Sequence, residues 1–295
     1  MSYLLGYDLG SSSVKASLIE ANTGKLIAAA SAPATEMDIA SPKPGWAEQD
    51  PALWWTHTVA ATRQLLQRAG IASGEIKAIG ISYQMHGLVV VDEHQQVLRP
   101  AIIWCDSRAV ETGNLAYHAL GESYCHNNLL NSPGNFTASK LKWVKDNEPE
   151  VYERIDKYML PGDYLAMRLT GEISTTVPGL SEGITWDYQK KDLASDLLRV
   201  YGIQSDLIPN RVNTFSHQGS VTALAAEVTG LRAGVPVSYR AGDQSNNAFS
   251  LNVLNPGELA TTAGTSGVIY GVVDRPIADP QTRVNTFVHV NHTPQ

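Results

Sequence analysis

Cysteine is scarce in this sequence. Cys105 and Cys125 are the only two in 295 residues. That is too few for a disulfide framework, and no Cys-x-x-Cys or Cys/His spacing of a zinc site accompanies them. Positive charge is also short: 22 Lys and Arg stand against 29 Asp and Glu, a formal charge of −7. No broad basic face is therefore on offer for nucleic acid. No apolar run approaches the roughly 18 residues of a membrane span. The opening Met1–Asp8 has no basic segment ahead of its apolar residues, so a secretory leader is not expected. Asn135-Phe136-Thr137 has the form of a glycosylation sequon, which means nothing without export. A Gly-Lys-Ser/Thr triplet is missing as well, which excludes the Walker phosphate loop. These absences describe a mildly acidic protein of a reducing, cytoplasmic compartment, with no nucleic-acid or membrane partner.

What is present is the composition of a packed protein, 43% hydrophobic and 17% charged, long enough for one large domain or two medium ones. The first third alternates β-branched runs with tight turns. Tyr3–Tyr7, Val14–Ile19 and Leu26–Ser31 read as strands, and their short connections require an antiparallel meander. Asp50-Pro51 has the form of a helix start and Gly70 of its stop, with Leu53, Val59, Leu65 and Leu66 as the apolar stripe. The strand expected at Ile76–Ser82 can lie parallel to the first because a helix joins them. Short strands are expected at Leu88–Val91 and Ala101–Ile103. From about 109 to 200 the pattern is more helical, with helices at Lys140–Asn147 and Asp163–Leu169. Strands return at Val235–Tyr239, Leu259–Ala263 and Val268–Val273.

Several short segments combine polar chemistry with small residues between strands. In Asp8-Leu9-Gly10-Ser11-Ser12-Ser13, backbone amides and hydroxyls can face a phosphate, and Asp8 can hold Mg²⁺. The same residues also make an ordinary hairpin turn. Gly264-Thr265-Ser266-Gly267 repeats the pattern, and again a tight turn is the plain alternative. Gly242-Asp243-Gln244 follows a strand, where an aspartate can take a proton from a substrate hydroxyl or simply cap a helix starting near Ser245. Gln84-Met85-His86-Gly87 lies between two strands, either lining a pocket or carrying a satisfied loop histidine. Asp106 and Arg108 read as a structural ion pair at a helix start, and Trp46, Trp54 and Trp55 as packing against the first helix.

The order of these segments is more specific than any one of them. With Glu48-Gln49-Asp50-Pro51, Arg99-Pro100-Ala101-Ile102-Ile103-Trp104, Pro161-Gly162-Asp163-Tyr164-Leu165 and Leu169-Thr170-Gly171-Glu172, the series resembles the FGGY carbohydrate kinases from residue 3 to about residue 290. The Gln84–Gly87 element is most similar to members acting on xylulose. The resemblance implies an α/β, ribonuclease-H-like (actin/hexokinase ATPase) fold, a mixed sheet with flanking helices and a cleft between two domains. It divides the chain into a sugar-binding domain, 1–245, and the opening of an ATP-binding domain, 246–295, cut short before the adenine-binding residues. It implies Asp243 as catalytic base and Asp8 as the acid that positions Mg²⁺ and ATP. Gln84, Met85, His86 and Gln244 become sugar contacts, with Gln244 standing where an asparagine is typical. Gly10, Ser11, Ser12 and Ser13, with Gly264, Thr265 and Ser266, become the phosphate turns. The expected reaction is phosphoryl transfer from ATP to a ketopentose, D-xylulose first, with gluconate, ribulose or glycerol, or a non-catalytic sugar-binding role, as alternatives. The chain alone is expected to be inactive, and a homodimer is compatible with the sequence.

Overall fold

The computed structural model of the protein describes residues 1–263 and 267–292. Its centre is a five-stranded mixed sheet. Strands β1 (Tyr3–Leu9), β2 (Val14–Glu20) and β3 (Leu26–Ala32) form the expected antiparallel meander. On the other side of β1 lie, in parallel, the strand Ile76–Tyr83 and then the strand Val237–Gly242. Tyr3, Leu5, Tyr7 and Leu9 alternate inward along β1, the period that buries one face of a strand. Helix α1 (Pro51–Ala69) makes the crossover and packs on β2 and β3. Its ends are those its sequence asks for: Asp50 accepts from the Ala52 amide at 2.9 Å, and Gly70 closes it in the left-handed conformation.

The buried stripe of α1 differs from the expected one. Trp54, Thr58, Ala61, Thr62 and Leu65 face the core, while Leu53 is exposed. The two threonines tolerate burial because each hydroxyl returns to the carbonyl four residues back, at 2.8 and 2.6 Å, and Thr62 also meets the Tyr7 hydroxyl at 2.6 Å. Nor do the three tryptophans form one cluster. Trp46 lies edge-on to Trp143 at 5.1 Å with the Arg108 guanidinium 3.8 Å above it. That guanidinium has the expected bond to Asp106, 2.7 Å, and joins Glu48 and Arg99 in a larger buried network.

Three apolar clusters support the chain. The largest lies on the sheet under α1 and the helix Pro161–Thr170, with Leu5, Leu9, Trp54, Ile79 and Leu165 at its heart. A second unites the helical middle section around Leu88, Leu141, Tyr158, Leu180 and Leu197. A small third one joins Ala248, Val253 and Ala260 near the antiparallel pair Leu259–Ala263 and Gly267–Gly271.

The strand expected to stop at Tyr239 runs on to Gly242 because Arg240, inside it, is a buried partner and not a surface residue. Its Nε lies 2.9 Å from Asp163 Oδ1, and its Nη2 donates to the Ser174 carbonyl at 2.9 Å. This pair bolts the strand to the helix Pro161–Thr170. Truncating one partner leaves a charge buried alone, so Arg240→Met is expected to cost about 3–5 kcal/mol in chemical denaturation. A loss under about 1 kcal/mol would mean that the pair is dispensable to the sheet.

Candidate active site

Parallel register decides which residues meet. Leu9 pairs with Tyr83 and Tyr83 with Gly242, so β1, Ile76–Tyr83 and Val237–Gly242 end level with one another. Chain leaving these ends must gather on one edge, which is where open α/β sheets commonly hold ligands. Asp8, Gln84-Met85-His86 and Asp243 therefore come together although they are far apart in sequence.

Asp8 sits at the end of β1, where Lys15 donates to Oδ2 at 3.1 Å and Ser82 to Oδ1 at 3.3 Å. The lysine pair is half in solvent and so contributes at most about 1 kcal/mol. In the turn that follows, the Gly10 amide donates to the Ser13 carbonyl at 3.1 Å. The Ser11 carbonyl takes the Gln49 side-chain amide at 2.7 Å, and the Ser12 carbonyl takes the Met37 amide at 2.8 Å. The backbone of the turn is thus tied down. Among the described residues, the Ser12 and Ser13 hydroxyls make no hydrogen bond to protein, while Ser11 Oγ accepts from the Trp104 indole at 3.4 Å. Gly264, Thr265 and Ser266 lie outside the described residues.

Gln84 continues from the strand Ile76–Tyr83, and its amide donates to the Leu9 carbonyl at 2.8 Å. Its side chain is buried, donates weakly to Gln49 at 3.4 Å, and leaves Oε1 with no partner. A buried acceptor left open is costly unless something else supplies a donor. Met85 packs on Gly242, where an added Cβ would fall 2.5 Å from Met85 Cγ and 3.2 Å from Glu182 Oε2. The lack of a side chain at 242 is what allows the loop to lie against the start of the Asp243 helix. His86 adopts φ 61°, which costs a non-glycine residue about 1–2 kcal/mol. Its ring meets Phe136 edge-on at 4.9 Å and Phe287 at 5.3 Å. Burial, with the nearby Lys140 charge, pushes its pKa down to about 3, so the imidazole is neutral.

Asp243 opens the helix Asp243–Ser250 with Gly242 as N-cap, two residues earlier than the start expected near Ser245. Burial first, and then the Asp8 charge, raise its carboxyl to about 6, partly offset by hydrogen bonds from Gln244. A carboxyl poised near the working pH is what proton exchange with a hydroxyl requires.

Two residues of this site escaped the sequence reading. Glu182, at the end of the helix Val177–Glu182, is buried and accepts from the Tyr83 hydroxyl at 2.5 Å and the His86 amide at 3.3 Å. Burial raises its carboxyl well above the usual range, aided by Asp163 and Asp243. Lys140, in the helix Thr137–Asn147, is fully buried and donates to the carbonyls of His86 at 2.8 Å and Ile103 at 3.0 Å. The one hint of Glu182 in the sequence is its setting, Gly179-Leu180-Ser181-Glu182-Gly183, another small-residue stretch around an acid. Nothing in its own sequence neighbourhood marks Lys140.

A separate concavity of about 770 Å³ is lined by Trp55, residues 94–100, Tyr164 and Arg168, and borders none of these residues. Its charged groups are already engaged. Asp50 caps α1, Arg99 pairs with Glu48 and Glu148, and Arg168 lies 4.8 Å from the Trp55 ring and bonds the Tyr164 hydroxyl. It offers room without unused charge.

Residues 3–250 match the N-terminal domain of the FGGY family of carbohydrate kinases. The chain is 34% identical over 285 residues to a xylulose kinase of Escherichia coli (strain K12), covering 97% of this chain and 57% of that protein. It is 32% identical over 294 residues to a xylulose kinase of Bacillus subtilis (strain 168), covering 98% and 57%. The crystal structure of xylulose kinase from Rhodospirillum rubrum superposes with a TM-score of 0.89 at 28% identity, over 98% of this chain and 58% of that one. The chain thus spans a little over half the length of the curated relatives it matches. Its fold is the actin/hexokinase-type one, with the mixed sheet and flanking helices expected.

The site makes a titration prediction. The Asp243 side chain, followed by carbon-detected NMR, is expected to titrate near pH 6, and Asp8→Asn is expected to lower that midpoint. Because the folded-state value lies above the unfolded one, the stabilising contribution of protonated Asp243 is full below about pH 4 and is lost as the pH rises through about 6. A midpoint near 4 in the wild-type protein would remove the claim that Asp243 is desolvated beside Asp8.

Proposed function

The chain belongs to the FGGY family of carbohydrate kinases, and from this we propose that it forms the sugar-binding part of an ATP-dependent kinase whose substrate is a ketopentose, D-xylulose in first place. The observation that carries this reading is Asp243: a carboxyl held near its working pH, on the same sheet edge as Asp8 and beside the Gln84–Gly87 loop. In this reading residues 1–245 are the sugar-binding domain and 246–295 open the ATP-binding domain. The family match ending at residue 250 and the small separate cluster around Ala248 and Val253 support that division.

The loop binds the sugar with its terminal hydroxyl beside Asp243. Gln84 Oε1, buried without a partner, accepts from a substrate hydroxyl, and Met85 and His86 form the wall against which the carbon chain lies. Gln244 donates to the Asp243 carboxylate and keeps it oriented. Asp243 takes the hydroxyl proton as the oxygen attacks in line, late in a loose transition state where positioning and electrostatics do most of the work.

Asp8 would hold Mg²⁺. The fit rests on its weakly paired carboxylate and the unengaged hydroxyls beside it. No group of three or more His, Cys, Asp or Glu among the described residues could hold a metal alone, so phosphate oxygens and water would complete the shell. When bound, ATP would supply the phosphoryl group and Mg²⁺ would offset its charge. The hydroxyls of Ser11, Ser12 and Ser13 give donors to the phosphates from one side, with Gly10 shaping the turn that presents them, and Gly264, Thr265 and Ser266 are proposed for the other.

Arg240 has a bearing on the alternatives. A cation beside the base would favour gluconate, but this guanidinium is buried against Asp163 and Ser174 and turned to the protein interior.

In calorimetric titration the protein is expected to bind D-xylulose and to bind ribulose, glycerol and gluconate more weakly. Tighter binding of a control would overturn the substrate. In the kinase that carries the rest of the ATP site, kcat/KM is expected to rise with pH through about 6, as Asp243 ionises. Asp243→Asn is expected to lower turnover by about 10²–10⁴-fold. Near-normal turnover in that variant would remove Asp243 as the base.

A further inference from the structure

His86 is held at every polar atom but one. Its amide donates to Glu182 Oε2 at 3.3 Å, its carbonyl accepts from Lys140 Nζ at 2.8 Å, and its Nδ1 lies 3.0 Å from the Glu182 carbonyl oxygen. These bonds fix a residue whose left-handed backbone would otherwise relax, since φ is 61° in a side chain that disfavours it. They also settle the ring chemistry. A carbonyl oxygen only accepts, so Nδ1 must carry the proton, and in a neutral imidazole Nε2 is then a lone-pair acceptor. Phe136 and Phe287 pack against the ring in the orientation that turns Nδ1 to that carbonyl. Among the described residues Nε2 has no hydrogen-bond partner.

Lys140 reaches further. Besides His86 it holds the Ile103 carbonyl at 3.0 Å, and the next residue, Trp104, donates its indole N–H to Ser11 Oγ. One buried lysine thus joins the loop after Ile76–Tyr83 to the loop that touches the Asp8–Ser13 turn.

We propose that Lys140 and Glu182 are positioning residues of the sugar site, holding His86 so that its Nε2 accepts a hydrogen bond from a substrate hydroxyl. The role rests on the reading of Gln84–Gly87 as the sugar loop. It gives the site a polarity: at this point it takes a donor, and a substrate presenting only an acceptor there, such as a carboxylate, is repelled. The titratable groups facing His86 are Lys140, whose pKa burial pulls down to about 7, and Glu182, whose carboxyl burial pushes up. The acid and base beyond Lys140, Asp106 and Arg108, are already paired with one another.

Two measurements test it. Long-range ¹H–¹⁵N correlation of the wild-type protein is expected to show His86 neutral, with its proton on Nδ1, from pH 5 to 8, and D-xylulose is expected to shift the Nε2 resonance. Calorimetry of Lys140→Met and Glu182→Leu, each first shown to be folded by circular dichroism, is expected to give D-xylulose affinity weaker by about tenfold. A proton on Nε2, titration near the ordinary value of about 6.5, or wild-type affinity in a folded Lys140→Met protein overturns the proposal. Should both variants unfold, the wild-type spectra decide: an Nε2 resonance unmoved by bound sugar overturns it. If the wild-type protein binds no sugar while His86 keeps its proton on Nδ1, the sugar-loop reading fails and the role falls with it. If sugar binds and the proton is on Nε2, only the role fails.

Discussion

The register of three parallel strands carries the rest of the structure. Leu9, Tyr83 and Gly242 end level, so the residues that follow them share one edge of the sheet whatever the intervening chain does. The backbones of β1 and the strand Val237–Gly242 stand two strand spacings apart, about 10 Å. The buried Arg240–Asp163 pair holds the outermost of the three strands in that register. A slip of one residue would turn Arg240 away from Asp163 and shift Asp243 along the edge relative to Asp8.

Bringing acids to one edge has an electrostatic cost, and the protein distributes it unevenly. Asp8 keeps water and Lys15, while Asp243 is desolvated and titrates near 6. Glu182 is buried deepest, which pushes its carboxyl well above the usual range, and it accepts from Tyr83 and the His86 amide. Three carboxyls in one neighbourhood therefore differ: one is exposed and paired with lysine, one is desolvated, and one is hydrogen-bonded to the loop between them. Environment, not residue type, makes the assignment.

How much of this the sequence carried follows from how local each signal is. The meander and α1 are written in alternation, in Asp50-Pro51 and in Gly70, all within a few residues of the structure they specify. The polar segments at 8–13, 84–87 and 242–244 stood out for the same reason, and their order along the chain tied them to one family. Where the determinant was distant, local reading fell short. Arg240 looked like the end of a strand because its partner Asp163 lies on another element. Thr58 and Thr62 had no place in the apolar stripe expected for α1 because the back-bonds that let them be buried exist only once the helix does. Lys140 and Glu182 are ordinary charged residues until the fold brings His86 between them.

The proposed role of this sheet edge depends on where a sugar binds. A crystal structure of the protein with D-xylulose would decide most directly. The sugar is expected between Met85-His86 and the start of the Asp243 helix, with its terminal hydroxyl about 2.6–3.2 Å from the Asp243 carboxylate. D-xylulose seated instead in the concavity of Trp55, Tyr164 and Arg168, or bound with no hydroxyl in reach of Asp243, would contradict it.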